Sequence, residues 1–426
     1  DLGAYSFHET KNVISGEGGA LVINTGGTLE AERLLVSDQA APASGAILVD
    51  GAGTSASLQA SVVQRLSSPS VRQRTNALTI GSGAHATLAH FRAEEITGDG
   101  IIAMDGSSLE ATSLHVRGLR RAGAESENAG ARGVVVWEGA TARIDQCRVE
   151  DTEGHSVVAG PGARSVTLDR CVLRDVLGAR FDAVFAWGGG RVAMTRVRIA
   201  HAAQAIAASE AGAEVDFSDG IIEAAGLGTR VIWVGDACVA RLSRAAVVAH
   251  EGITAMLVAA GGRAELTDVV LRSSAPDESM FIPGGLFVGG EVALERVLIH
   301  RMGMGLAVAD ARARVTASDL IVMGSRQTTE LTDLMGARVG PSGGYAVIQQ
   351  SGELAGARVA IDSAFSFGVQ CGRSPAGGAS ASPPPVARFD DLFVRAVARG
   401  GQGIGAARPS GPSQSSGLLV TRQGRV

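Results

Sequence analysis

The sequence predicts an all-β chain wound into a solenoid of short parallel strands, and two recurring motifs carry that prediction. The first is a short apolar run that ends in a glycine-rich turn, as in ALVINTGG (20–27) and GLFVGGE (285–291). The second is the pattern apolar-x-x-apolar-x-apolar that follows it, as in IDQCRV (144–149) and LERVLI (294–299). Both recur mostly every 20 to 26 residues, with no helical periodicity between them. One such turn cannot bury its apolar face alone, so successive turns are expected to stack.

These motifs cover nearly the whole chain, and with them the sequence resembles the pectate-lyase-like family of right-handed parallel β-helices. The repeats thread into about fourteen or fifteen coils of a single-stranded helix. We expect residues 1–19 to form an entry segment or partial coil, 20–371 the helix, and 372–426 loop-rich coils of the same solenoid. The last stretch, GLLVTRQGRV (417–426), has the pattern of a further coil, which predicts a native unit longer than this chain. The family includes lyases, hydrolases, adhesins and structural rods, so the fold leaves the function open.

Composition excludes several classes of function. The 426 residues carry a formal charge of −5 without blocks of either sign, so the sequence has no cluster of basic residues that would bind nucleic acid. No apolar run approaches the ~18 residues that a membrane helix needs. The four cysteines form no CxxC pair and the histidines are scattered singly, so neither a zinc site nor any other cofactor is predicted. The chain begins at Asp1 without a signal region, which predicts a processed secreted protein or a fragment.

The second motif bends at an inward position that is apolar in coil after coil. Members of the family often stack asparagines at this bend, whereas this chain places other residues there: Leu34, Phe91, Leu114, Cys147, Cys171, Val197, Val269, Val297, Val359 and Leu392. Cys147 and Cys171 would lie one strand spacing apart, a distance compatible with a disulfide. Stacked side chains that point the same way seldom reach the dihedral angle of a disulfide, so buried thiols are predicted. No partner is predicted for Cys238 or Cys371.

Two pairs of aspartates are the candidates for chemistry. Asp145 and Asp169 lie 24 residues apart, as do Asp151 and Asp175, so each pair would share a column of adjacent coils. Carboxylates ~5 Å apart suit a calcium ion, predicted as an alternative at Asp145 and Asp169, or the acid pair of a retaining glycosidase. The competing interpretation is that these are solvated turn aspartates neutralised by nearby arginines. No catalytic motif of the family can be transferred to this chain.

The outward side of the first motif is apolar, although a strand with one buried face should alternate apolar and polar residues. All three tryptophans fall on this side. The residues predicted to form this first-strand face are Val135, Trp137, Phe185, Trp187, Trp233, Leu257 and Phe287. Such a stripe exceeds the apolar area that soluble monomers usually expose. We expect it to be covered by the chain's own loops, by a protein partner or second copy, or by a carbohydrate stacked on its aromatic residues.

The leading hypothesis from the sequence is a non-enzymatic, extracellular or cell-surface rod with a structural or adhesive role. It would associate with a protein partner or another copy through the first-strand face. The rival hypothesis is a polysaccharide-binding or polysaccharide-cleaving protein. The charged side chains that an acidic polysaccharide needs are expected to be missing from the first-strand face, which argues against the rival.

Overall fold

The structure, a computed structural model, confirms the predicted fold class: the described chain is all-β and folds as the parallel stacked coils of a β-solenoid. It describes residues 13–15, 21–40, 45–67, 75–121, 131–178, 180–224, 230–250, 253–275, 283–326, 344–364, 367–371, 385–395 and 416–420. Within these ranges no helix has the length and apolarity needed to cross a membrane.

The chain divides into two compact units. The first takes in residues 1–202 and 212–215, and the second takes in 203–211 and 216–426. The predicted boundaries after residues 19 and 371 remain predictions. The strands up to residue 202 are β1 (Val13–Ser15), β2 (Leu21–Asn24), β3 (Thr28–Glu32), β4 (Leu35–Ala40), β5 (Ile47–Asp50), β6 (Ser55–Gln59), β7 (Val62–Ser67), β8 (Thr75–Gly81), β9 (His85–Ala89), β10 (Arg92–Ala103), β11 (Ser108–Thr112), β12 (His115–Arg120), β13 (Val134–Val136), β14 (Thr141–Asp145), β15 (Arg148–Thr152), β16 (Val157–Ala159), β17 (Ser165–Asp169), β18 (Val172–Val176), β19 (Asp182–Trp187), β20 (Arg191–Thr195) and β21 (Arg198–Ala202).

From residue 203 onward, the second and third strands of a coil often run together as one long strand. The strands of this part are β22 (Gln204–Ser209), β23 (Glu214–Ser218), β24 (Ile221–Ala224), β25 (Arg230–Val234), β26 (Val239–Ala249), β27 (Thr254–Val258), β28 (Arg263–Ser273), β29 (Gly284–Val288), β30 (Glu291–His300), β31 (Met304–Val308), β32 (Arg314–Met323), β33 (Tyr345–Gln349), β34 (Glu353–Asp362), β35 (Phe367–Cys371), β36 (Val386–Phe389), β37 (Leu392–Arg395) and β38 (Ser416–Val420).

Within each unit, a coil opens with a first strand that pairs in parallel with the first strand of the next coil. Seven strands open coils in the first unit (β2, β5, β8, the second half of β10, β13, β16 and β19) and eight in the second (β22, β25, β27, β29, β31, β33, β35 and β38). In this register Val134 lies opposite Val157, and Val157 lies opposite Val184. Leu418 in β38 pairs with Val369 in β35. Short β1 instead pairs antiparallel with β2.

The bend between the second and third strands has the same construction in both units. The inward side chain is apolar and buried, as Phe91 and Val297 illustrate. The residue just before it has a left-handed backbone, for example His90 with φ 53° and Arg296 with φ 54°. An ordinary residue adopts this conformation at a cost, so the bend must be held by stacking against neighbouring coils.

One expectation at the bend is wrong. Cys147 and Cys171 form a disulfide instead of two separate thiols. Their Cα atoms lie 4.4 Å apart because both occupy the same inward position of adjacent coils, and that separation lies at the lower limit for a disulfide. Cys238 and Cys371 are buried as thiols.

Candidate functional site

The first predicted aspartate pair lies at the ends of β14 and β17, where Asp145 is directly opposite Asp169. Each carboxylate binds an arginine from the following coil. Arg170 Nε donates to Asp145 Oδ1 at 2.9 Å, and Arg196 Nε donates to Asp169 Oδ1 at 2.9 Å. The second guanidinium nitrogen of each arginine contacts the other carboxylate oxygen. Both carboxylates are therefore held in two-point ion pairs.

These ion pairs set the chemistry of the two aspartates. The hydrogen bond from Arg196 lowers the pKa of Asp169, so this carboxyl stays ionised and is a poor proton donor. A calcium ion would need the carboxylate oxygens that the guanidinium groups occupy. In the described part of the chain, no three His, Cys, Asp or Glu side chains are grouped to hold a metal ion. The arrangement matches the competing interpretation, turn aspartates neutralised by arginines.

The second predicted pair, Asp151 and Asp175, also has separate partners. Both residues sit in left-handed positions of their third strands, with φ 55° and 56°. Arg120 donates to Asp151 Oδ2 at 2.6 Å, and His201 Nδ1 lies 3.1 Å from Asp175 Oδ1. The structure therefore joins neither pair into a single acid site.

The aliphatic part of the first-strand face in the first unit is buried within its own chain. Val135 is buried between Ile102 and Val158 in the adjacent coils, and the three form one apolar cluster. Phe185 and Trp137 pack against that cluster and are half-buried. Trp187 is half-buried beside Phe185, with ring centroids 6.2 Å apart.

The second unit has its own apolar cluster on the corresponding face. Leu257 and Phe287 lie opposite each other and are each 6% exposed. Trp233, opposite Leu257, is half-buried and packs against the cluster. The guanidinium carbon of Arg230 lies 4.3 Å from the centroid of the Trp233 ring. The aliphatic part of the predicted face is thus buried within a single chain, whereas the tryptophans keep part of their surface exposed.

Ionisable residues adjoin this face in the first unit, although charged side chains were expected to be missing from the face itself. Asp99, Arg132, His155 and Asp182 each come two residues before the inward residue of their first strand, and Arg132 and His155 contact aromatic rings of the face. Arg132 donates through Nε to Asp99 Oδ1 at 3.0 Å and through a terminal nitrogen to Asp99 Oδ2 at 2.6 Å. Asp99 is fully buried. Arg132 also stacks on Trp137, 4.8 Å from the ring centroid, so the charged column adjoins the aromatic one.

His155 packs against two aromatic rings beside this column. Its ring stacks on Phe185 at 4.7 Å between centroids and meets Phe181 edge-on at 5.3 Å. The backbone N–H of Asp182 donates to His155 Nδ1 at 3.0 Å. Burial lowers the pKa of His155 to about 4, and the nearby Arg132 acts in the same direction. The imidazole is therefore neutral at pH 7. The register of the first strands was the signal that could have located this column in the sequence.

A second group of ionisable side chains lies on the third strands of the first unit. Glu150 accepts hydrogen bonds from His115 at 3.0 Å, Arg148 at 2.7 Å and Arg174 at 2.6 Å. Burial alone would raise the pKa of Glu150, but these three bonds outweigh it and lower the pKa to about 2. The carboxylate is thus ionised and holds three neighbouring side chains in place, and it cannot donate a proton near neutral pH.

Comparisons with known proteins find similarity to solved structures alone. No protein-family model matches the chain, and no curated protein matches it. One similar structure is the TibC-catalyzed hyper-glycosylated TibA 55–350 fragment, at 10% identity and a TM-score of 0.23, with 88% of this chain and 94% of that chain covered. Another is the A-module of the Azotobacter vinelandii mannuronan C-5 epimerase AlgE4, at 11% identity and a TM-score of 0.25, covering 86% and 90%. A third is the Yersinia enterocolitica family 28 exopolygalacturonase, at 9% identity and a TM-score of 0.25, covering 87% and 73%. Similarity this low carries no argument about function.

Proposed function

We propose that this protein is a non-enzymatic, extracellular or cell-surface solenoid with a structural or adhesive role. The observation that carries the proposal is the state of the predicted catalytic aspartates. Asp145 and Asp169 each hold an arginine through both oxygens, which leaves neither suited to protonate a leaving group or to attack a sugar.

The disulfide supports the extracellular part of the proposal. Disulfides persist in oxidising compartments and are rare where thiol buffers keep cysteines reduced. The Cys147–Cys171 bond lies in the buried column of the bend, where it links two consecutive coils of the first unit. Its position fits a permanent structural bond.

The partly exposed tryptophans are the part of the first-strand face that remains available to a partner. Trp137 and Trp187 in the first unit, and Trp233 in the second, border apolar clusters that are otherwise buried. Tryptophan and arginine are each enriched at the centres of protein interfaces. We therefore propose that a protein partner or another copy of the chain contacts these rings.

A polysaccharide-binding role is the second candidate, favoured by the partly exposed ring of Trp137. An aromatic ring offers a stacking surface to a sugar, whereas the neighbouring Arg132 is held by Asp99. This candidate requires binding without cleavage, because the aspartates are neutralised.

The test is to incubate the protein with a panel of acidic and neutral polysaccharides, with and without calcium, and to measure release of new chain ends. We expect none. Cleavage that disappears in Asp145→Ala or Asp169→Ala would overturn the non-enzymatic proposal. Calorimetric titration with the same panel separates the two candidates, since only a sugar-binding protein gives heat that Trp137→Ala removes.

A further inference from the structure

Two arginines on the third strands of the first unit are held by one buried carboxylate. Glu150 in β15 is 8% exposed, and its Oε2 accepts from Arg148 Nε at 2.7 Å and from Arg174 Nε at 2.6 Å. Arg148 lies two residues before Glu150 on the same strand, and Arg174 lies directly opposite it in β18. Because both bonds end on the same oxygen, the two guanidinium groups are held side by side.

The terminal nitrogens of these two arginines remain available to a ligand. In the part of the chain that the structure describes, Arg148 and Arg174 donate hydrogen bonds through Nε alone, and their side chains are 49% and 39% exposed. The arginines at the bends differ, since Arg170 and Arg196 each hold an aspartate through Nε and a terminal nitrogen. Glu150 therefore orients two guanidinium groups without occupying the edge that their terminal nitrogens form.

The neighbouring strands make this part of the surface positive. Over five coils, the two outward columns of the third strands contain five arginines and two glutamates: Arg92, Glu94, Arg117, Arg148, Glu150, Arg174 and Arg198. One further carboxylate, Asp175, lies 3.3 Å from Arg174 Nε and is shared with His201 Nδ1 at 3.1 Å. Arginines remain in excess of the acidic residues, so this face attracts anions.

We propose that Arg148 and Arg174 form a binding site for a phosphate or sulfate group. The terminal nitrogens of a guanidinium can contact two oxygens of one anion, which is how arginine recognises phosphates. A phosphate or sulfate ester has three terminal oxygens, so it can accept a two-point contact from each arginine by sharing one oxygen. A carboxylate has only two oxygens, and a single two-point contact takes both. The pair of arginines therefore favours a tetrahedral anion over a carboxylate.

The site is ready to bind at neutral pH. Burial opposes the ionisation of Glu150, but the hydrogen bonds from His115 and the two arginines outweigh it and lower the pKa of Glu150 to about 2. The carboxylate that orients the arginines is therefore charged at neutral pH, and both guanidinium groups keep their positions before the anion arrives. Binding then orders few additional side chains, which favours affinity.

A free ion and an ester on a polymer share this chemistry, and two probes distinguish them. The first is radiolabelled inorganic phosphate, in equilibrium dialysis against the full chain at low salt and neutral pH. The second is dextran sulfate in a calorimetric titration, with uncharged dextran as its control. Binding of either probe that depends on the two arginines supports the site and identifies the source of the anion. Binding of neither probe, or displacement of the bound probe by an equal concentration of acetate, would overturn the proposal.

Lysine variants separate a two-point site from general positive charge. Arg148→Lys and Arg174→Lys keep the charge but lose the paired terminal nitrogens, so each should weaken binding about tenfold. The matched control is Arg143→Lys, at an exposed position in β14 of the same coil, which should bind as the wild type does. Circular dichroism should show that all three variants are folded.

Two results with these variants would count against the site. Unchanged binding in Arg148→Lys and Arg174→Lys, or an equal loss in Arg143→Lys, would overturn the proposal. The site lies on the third strands, apart from the tryptophan surface of the proposed function. Dextran sulfate binding that Trp137→Ala removes and the two arginine variants leave intact would also overturn this inference, and it would support the polysaccharide-binding candidate.

Discussion

At the scale of single residues, breaking the buried ion pair next to the first-strand face should lower the stability of the protein by a measurable amount. Asp99 is fully buried and is held by three hydrogen bonds from Arg132. Removing one partner of a buried ion pair destabilises a protein by about 3–5 kcal/mol. We expect Arg132→Ala to lower the free energy of unfolding by about 3 kcal/mol in urea denaturation. The control Arg143→Ala, at an exposed site, should change it by less than about 0.5 kcal/mol. Equal effects in the two variants would contradict this account.

His155 predicts how stability depends on pH. Its pKa is lowered to about 4 in the folded protein, against ~6.5 when unfolded. The unfolded chain therefore binds the proton more readily, so the stabilisation is complete above pH ~6.5 and is lost as the pH falls towards 4. We expect a loss of about 2 kcal/mol at pH 5 relative to pH 8. His155→Phe should flatten the curve in this window. A variant as sensitive to pH as the wild type would exclude His155 as the cause.

The Cys147–Cys171 disulfide gives the simplest prediction at this scale. Thiol titration of the unfolded, unreduced protein should find two thiols, from Cys238 and Cys371, and reduction should raise the number to the four cysteines of the sequence. Cys147→Ser should then leave one additional reactive thiol, that of Cys171. Four thiols before reduction would show that the bond is not formed.

At the scale of elements, the left-handed bend should tolerate some residues and reject others. His90 has φ 53° and an exposed side chain. Asparagine enters this conformation easily, whereas a β-branched residue in it is a genuine outlier. We expect His90→Asn to keep the wild-type melting temperature and His90→Val to lose about 1 kcal/mol or more. Equal stability of both variants would indicate that the bend relaxes to another backbone conformation.

Features that depend on the residue pattern within one strand could be predicted from the sequence. The inward columns follow from alternation along each strand, so Val134, Val157 and Val184 could be aligned correctly. Ion pairs between coils could not be aligned in this way, because loops of unequal length separate the partners. Arg244 reaches an aspartate 25 residues earlier, while Arg358 reaches one 39 residues earlier. The disulfide could not be predicted, because the general preference of stacked side chains for other dihedral angles does not determine the geometry of one specific pair.

At the scale of the whole molecule, a ladder of alternating charge at the bends of the second unit distinguishes two deletions that both preserve the register of the strands. The ladder includes Asp219, Arg244, Asp268, Arg296, Asp319 and Arg358 in consecutive coils, and each of these arginines pairs with the aspartate of the preceding coil. Removing residues 284–303 takes out one coil and joins equivalent positions, but it sets Asp268 beside Asp319. Removing residues 254–303 takes out two coils and sets Arg244 beside Asp319. Because a coil contacts mainly its neighbours, both variants should fold. Added salt should stabilise the one-coil deletion by screening like charges and should not stabilise the two-coil deletion. Melting curves over a range of salt concentrations make this test, and identical salt responses would contradict it.

The alternation of aspartate and arginine also constrains how such a chain can change its length over generations. Tandem duplication of a single coil would copy one charge next to itself, whereas duplication of two consecutive coils would copy an aspartate together with its arginine. Variants of this chain that gain or lose repeats in the second unit are therefore expected to do so in even numbers. In this part of the molecule coils are therefore expected to be gained or lost in pairs, although a single coil is the structural repeat.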